Sequence, residues 1–198
     1  MLKAQSGNWR AARRENARAA VLTAAWELVR ADGLAALSLR DLARRAGVTT
    51  PTLYAYFESK NAILDAMFAQ AAQTFLEWRQ ARPVTDDPRA DLFADSQEFV
   101  DFCVSDVPRY QLLFQHSVPG FTPSPESYAL AVRALDTARE LLARNGMHDP
   151  RHLDIWTAIT TGLVDQQISN DPGGDRWSRL VGDVTEMFLA HYASGETT

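Results

Sequence analysis

His148 and His152 lie four residues apart with Asp149 and Asp154 beside them, superficially a metal cluster. Pro150 stands between the two histidines and puts His148 on a loop, so the group reads instead as a helix start with Asp149 as its cap. Cys103 is the only cysteine, which excludes an intramolecular disulfide and a cysteine zinc site. No motif pairs it with a histidine, and it reads as a small buried hydrophobe. The sequence holds no phosphate loop, nucleotide fingerprint or nucleophile elbow. Another chemistry is concentrated between residues 38 and 60. The hydroxyls and methyls of Thr49, Thr50 and Thr52 suit base edges and thymine methyls. The phenols of Tyr54 and Tyr56 suit phosphate contacts. Lys60 stands at a helix start, where its ammonium and the free backbone N–H groups together hold a phosphate. These residues predict binding of nucleic acid, with no catalysis, metal or cofactor.

Helices must position them. Val21, Leu22, Ala25, Leu28 and Val29 recur at helical spacing, predicting a helix from about Arg10 to Ala31 that Gly33 ends in a left-handed conformation. Ser38-Leu39-Arg40-Asp41 is a capping-box-like start, and Leu39, Leu42, Ala43 and Ala46 form one apolar face before Gly47 breaks the helix. Thr49 caps a very short third helix with Pro51 in its first turn, ending at Tyr56 or Phe57. Two short helices joined at Gly47 have the spacing of a helix–turn–helix, with Leu53 and Phe57 inward and the threonines at the end that enters the major groove. The competing reading is a plain helical hairpin whose threonines are caps and whose tyrosines are half-buried. Ser59 caps a fourth helix reaching Ala81, with Ile63, Leu64, Met67, Phe68, Ala71 and Phe75 on its inner side. After a polar connector at 82–89, helices are expected at about 90–105, 108–116, 125–145, 150–170 and 175–194, and no run alternates as a strand does.

Length and composition agree with this picture. The 198 residues allow one or two small domains, fall short of the roughly 250 of a closed β/α barrel, and contain no apolar run long enough for a membrane span. The first ten residues lack the apolar core of a signal peptide, so a cytoplasmic protein is expected. The net charge of −5 conceals an asymmetry: residues 1–60 carry 10 basic against 5 acidic side chains, and residues 61–198 carry 10 against 20. A basic end on an acidic body is the pattern expected when that end meets a polyanion, because phosphate neutralisation is local.

The stretch from Leu37 to Lys60, LSLRDLARRAGVTTPTLYAYFESK, resembles the DNA-binding motif of TetR-family transcriptional regulators. The preceding Ala24-Ala25-Trp26-Glu27-Leu28 with Gly33, and the following Ala62-Ile63-Leu64, fit as well, so the resemblance covers about residues 15–68. It implies that Ser38 and Arg40 contact phosphate or a groove edge, that Thr49, Thr50 and Thr52 read bases or position the helix, and that Tyr54, Tyr56 and Lys60 grip the backbone. Pro51 would pack on a thymine methyl or shape the helix. Arg10, Arg13, Arg14 and Arg18 would lay an arm along the backbone or minor groove.

The rest of the chain carries two further expectations. Between Leu180 and Tyr192, Leu180, Val181, Val184, Met187, Phe188, Leu189, Ala190 and Tyr192 wrap more than one face. The preceding helix sets Trp156, Ile159, Leu163 and Ile168 among the small Thr157, Thr160, Thr161 and Gly162. A homodimer through residues 150–194, two helices from each subunit, would set two half-sites one helical turn apart (roughly 34–36 Å) on a pseudo-palindromic operator in double-stranded DNA. The aromatics Phe99, Phe102, Tyr110, Phe114, Phe121, Tyr128 and Trp156, with Cys103, Gln111, His116 and Thr160 as sparse polar groups, suit a cavity for an apolar effector. The expected protein is all-α. Residues 1–58 form a three-helix DNA-binding domain with a basic N-terminal arm at 1–14, and residues 59–198 form a larger helical domain for effector binding and dimerisation. Its expected function is a ligand-responsive transcriptional regulator, a repressor released from its operator by a small apolar effector. The alternatives are a helical small-molecule-binding enzyme and an architectural DNA binder without effector.

Overall fold

Short polar side chains set seven helix starts. Ser38, Thr49, Ser59, Asp87, Asp106, Ser124 and Asp149 each accept a hydrogen bond from a backbone N–H of the helix they begin. Each such cap is worth about 0.5–2 kcal/mol. In five of these helices a proline follows within the first two positions, where its missing N–H costs nothing. The computed structural model describes the backbone of residues 2–193 and the side chains of Trp9 and residues 11–193. Among them the helices are α1 (Leu2–Asp32), α2 (Leu39–Arg45), α3 (Thr50–Tyr54), α4 (Lys60–Ala81), α5 (Pro88–Ser105), α6 (Val107–Phe114), α7 (Pro125–Arg144), α8 (Pro150–Asn170) and α9 (Val181–Tyr192). Short 3-10 turns occupy Leu34–Ala36 and Ser178–Leu180, and the described residues form no strand. None of these helices is long and apolar enough to cross a membrane.

Two elements differ from expectation. α1 begins at Leu2 rather than near Arg10, so the segment 2–14 is a continuation of the helix and not a separate arm. Its polar residues carry no apolar period that would have marked it. The expected helix at 175–194 starts only at Val181. The Gln167 side-chain oxygen accepts the N–H groups of Trp177 (2.9 Å) and Ser178 (3.1 Å), and Asp171 accepts that of Arg176 (2.9 Å), so the donors of this segment are held by the turn instead. Residue 194 lies outside the described residues.

α4 runs through two cores. Its first three turns, with Ile63, Leu64, Met67 and Phe68, pack with α1, α2, α3 and Leu112 of α6. From Phe75 and Leu76 onward it packs with α5, α6 and α8. A third cluster joins Leu92, the end of α7, the start of α8, and Phe188 and Leu189 of α9.

Gly33 turns the chain between α1 and α2 with φ 84° and ψ 163°, a combination essentially restricted to glycine. A Cβ there would meet nothing within 4 Å, so substitution is opposed by the backbone alone. Gly33→Ala is therefore expected to lower stability by about 1–3 kcal/mol, read as a shift in urea midpoint at unchanged slope.

Candidate nucleic-acid interface and cavity

α2 and α3 are held against α1 by Leu42, Ala43, Leu53 and Phe57, all buried, and Gly47 (φ 68°) makes the turn between them. Ser38 accepts the Asp41 N–H (3.1 Å) and its hydroxyl donates to the Asp41 carboxylate (2.5 Å). That bond, with Arg44 at 2.7 Å, holds the Asp41 carboxyl below its ordinary range. The Thr49 hydroxyl oxygen accepts the Thr52 N–H (3.3 Å) and pairs with the Thr52 hydroxyl (2.8 Å). The outer surface of α3 is left to Pro51, Thr52 and Tyr54, the last 51% exposed, with Thr50 half-buried. Tyr56 is half-buried and its carbonyl accepts Arg18 Nη1 at 2.5 Å, while the Arg18 guanidinium lies 4.3 Å over the Phe57 ring. Arg18 thus braces the joint between α3 and α4 instead of belonging to an arm. Arg13 and Arg14 are exposed on α1, and the Arg10 side chain lies outside the described residues. Arg44 and Arg45 pair with Asp41 and Glu27, whereas Arg40 and Lys60 have no ion pair among the described residues.

An apolar cavity of about 200 Å³ lies between α4, α5, α6, α7 and α8. Phe75, Phe99 and Phe114 meet in it at ring distances of 5.5–5.9 Å, the Phe114 ring edge-on to both others. Phe114, Tyr128, Val132 and Leu135 are partly open to solvent and form its rim. A second cavity of about 230 Å³, under the α6–α7 loop, shares Leu113, Phe114 and Tyr128 with the first.

Residues 21–67 match the family model described as bacterial regulatory proteins, tetR family. That segment is a TetR-family DNA-binding domain. The chain is 29% identical over 177 residues to the HTH-type transcriptional activator FasR of Mycolicibacterium smegmatis, a match covering 86% of this chain and 81% of that one. In fold it resembles a Rhodococcus sp. RHA1 protein of unknown function, with TM-score 0.75 at 21% identity over 89% of this chain and 95% of that one. It also resembles the Bacillus subtilis regulator FadR solved with stearoyl-CoA, with TM-score 0.63 at 18% identity over 86% and 97% of the two chains. The chain is a transcriptional regulator with this TetR-type N-terminal helix–turn–helix domain and a larger helical C-terminal domain.

Of the eleven residues expected around an effector, Phe99, Phe114, Tyr128, Trp156 and Thr160 line the first cavity, and His116 and Phe121 join Phe114 and Tyr128 around the second. Phe102, Cys103, Tyr110 and Gln111 line neither. One turn beyond Phe99 the space is filled: Phe102 packs on Phe75 and Trp78 under the Arg109 guanidinium at 3.8 Å, and Cys103 is fully buried. Burial raises the Cys103 thiol well above its ordinary range, so it is inert. The Tyr110 hydroxyl is turned to Asp165 at 2.7 Å, and burial first, then that carboxylate, raises its pKa. Sequence reasoning missed Phe75 and Arg79 on α4, Asp95 and Ser96 on α5, and the small apolar face of α7. Arg79 continues the inner stripe of α4 four residues after Phe75, a visible signal: a charge where the pattern calls for an apolar side chain. His148 is exposed before α8, Asp149 caps that helix, His152 packs at a tilt against Tyr192 with ring centroids 4.7 Å apart, and Asp154 is exposed, so the four form no metal-holding group among the described residues.

Three polar links tie the first core to the cavity elements. Arg30 of α1 pairs with Asp106 at the start of α6 (2.7 Å). Asp65 of α4 accepts the Ser124 N–H (2.7 Å) and the hydroxyls of Ser124 and Ser127 (3.0 Å each) at the start of α7. Asn61 donates to the Gly120 carbonyl of the α6–α7 loop (3.2 Å).

Proposed function

We propose that this protein is a dimeric, ligand-responsive DNA-binding regulator that leaves a pseudo-palindromic operator when an apolar effector fills the cavity between α4 and α8. The observation that carries this reading is α4 itself. Its first residue, Lys60, stands beside the recognition helix, and its later turns supply Phe75 and Arg79 to the cavity wall. Arg40, Thr49, Thr50, Pro51, Thr52, Tyr54, Tyr56 and Lys60 form the DNA surface, with Ser38 and Thr49 acting mainly as caps that position it. The working division is residues 1–58 for DNA and 59–198 for effector binding and dimerisation, with α4 belonging mechanically to both. An effector in the cavity displaces Phe114, whose loop is fastened to α4 through Asn61 and Asp65, and so changes the spacing of the two recognition helices. Coupling of about 1–3 kcal/mol, or 5–150-fold in operator affinity, is the scale such systems reach. It extends only as far as the effector's affinities for the two states differ.

Dimerisation through α8 and α9 is supported by what the chain's own core leaves uncovered: Ala158, Ala190 and Met187, the last 70% exposed, with Ile155, Ile159 and Val184 half-buried beside them. An operator overlapping a promoter makes the protein a repressor, which is the reading we adopt. The name of the M. smegmatis relative favours activation as the second reading, with the operator upstream. Capture of sheared genomic DNA by the purified full chain, followed by anisotropy titration, tests the proposal. Inverted half-sites bound at about 10⁻⁸ M or tighter are expected. Uniform affinity of about 10⁻⁴–10⁻⁶ M on every fragment overturns it.

A further inference from the structure

The cavity wall is largely apolar, and its charged groups, Arg79 and Asp95, stand together at one corner. There Arg79, only 6% exposed, gives Nη1 to the Ala134 carbonyl (2.9 Å) and Nη2 to Asp95 (2.5 Å). Its Nε–H is buried and has no hydrogen-bond partner among the described residues. Buried donors are rarely left unmet, least of all on a charged group. The charge at this corner is also out of balance. Asp95 is shared between Arg79 and Arg82 (3.2 Å), and the neighbouring Asp91 is paired with Arg144 (2.5 Å), so three guanidinium groups face two carboxylates. The remaining polar groups of the wall, Ser96, Tyr128, Thr157 and Thr160, are uncharged hydroxyls and do not offset this charge. The Ser96 hydroxyl donates to the Leu92 carbonyl and that of Thr160 to the Trp156 carbonyl, both within their own helices.

Resting on the effector reading above, we propose that the cavity takes an apolar carboxylate whose head accepts the Arg79 Nε–H and offsets the surplus positive charge. The tail then lies among Phe75, Phe99 and Trp156 and extends toward the rim at Leu135. An apolar cavity of about 150 Å³ holds a benzene-sized molecule, so one of about 200 Å³ encloses roughly eight non-hydrogen atoms, and a medium-chain fatty acid fits with the end of its tail at the open rim.

Calorimetric titration of the full chain with octanoate, 1-octanol and octylamine holds the tail constant and varies the head. Octanoate is expected to bind at least tenfold more tightly than octanol, and octylamine more weakly than either. Arg79→Lys, which keeps the positive charge and removes the Nε–H, is expected to weaken octanoate about tenfold while leaving octanol unchanged. The head-group comparison on the unaltered chain stands even if that variant does not fold. Octanol binding as tightly as octanoate, octylamine binding best, or no binding of any of the three overturns the proposal. The effector reading is judged separately by Ala131→Trp, which fills the cavity. A changed operator affinity in that variant upholds the coupling of cavity to recognition helix, and an affinity equal to that of the unaltered chain rejects it.

Discussion

Lys60→Ala is expected to weaken operator binding roughly ten- to a hundredfold at 0.1 M salt and to make the salt dependence shallower by about two, because each phosphate a protein neutralises adds close to one unit of slope and a dimer carries two copies of Lys60. The fold should survive, since Ser59 holds the start of α4 through the Ala62 N–H (3.0 Å) and Lys60 belongs to none of the buried clusters. The loss should be uniform across operator variants, as expected for a group that meets phosphate rather than bases. Thr52→Val is the contrasting case. Thr52 is exposed on α3, so this change should re-rank operator variants and leave the slope alone. Anisotropy titrations of both variants at several salt concentrations separate the two kinds of interaction. An unaltered slope and affinity in Lys60→Ala would remove Lys60 from the interface.

Which features were legible from sequence follows from how local their causes are. The starts of α2, α3, α4 and α8 depend on side chains that bond backbone groups two or three residues away, and Ser38, Thr49, Ser59 and Asp149 mark them without tertiary information. Asp87, Asp106 and Ser124 are caps of the same kind, each followed by proline within two residues, and the same rule reaches them. The late start of α9 was not legible, because its cause is Gln167, ten residues upstream of Trp177 and brought there by packing. The cavity was half legible for a related reason. Aromatic residues mark it, yet Phe99 lines it while Phe102, three residues on, packs on Phe75 and Trp78, and only the arrangement of five helices decides between those fates. The DNA surface was legible as a motif, but the hydroxyls of Ser38 and Thr49 prove to hold helix starts, and Arg18 holds the Tyr56 carbonyl. The plain-hairpin reading therefore holds for Thr49 as a cap and for a half-buried Tyr56, and not for Thr50, Thr52 or Tyr54.

Asp95→Ala is expected to be the most damaging single substitution in the larger domain, lowering stability by about 3–5 kcal/mol and the melting temperature by on the order of 10 °C. The Asp95 and Arg79 side chains are 2% and 5% exposed, so removing the carboxylate strands the Arg79 guanidinium, and with it the largely buried Arg82, away from water and without a counter-charge. A pair of this kind is weak evidence of net stabilisation, because desolvation offsets most of its attraction. The double variant Arg79→Leu, Asp95→Leu should accordingly recover part of the loss. It should not recover all of it, since Arg82 still lacks its partner. Thermal and urea melts of Arg79→Leu, of Asp95→Leu and of the double variant measure the coupling. Additive losses would mean that the pair acts as two independent side chains. A positive coupling of about 1 kcal/mol or more would identify it as the fastening that holds α4 and α5 together, with α7 joined through the Ala134 carbonyl. The same fastening fixes the guanidinium plane at the cavity wall, so a variant that loses it should lose the preference for a carboxylate head even where the chain remains folded.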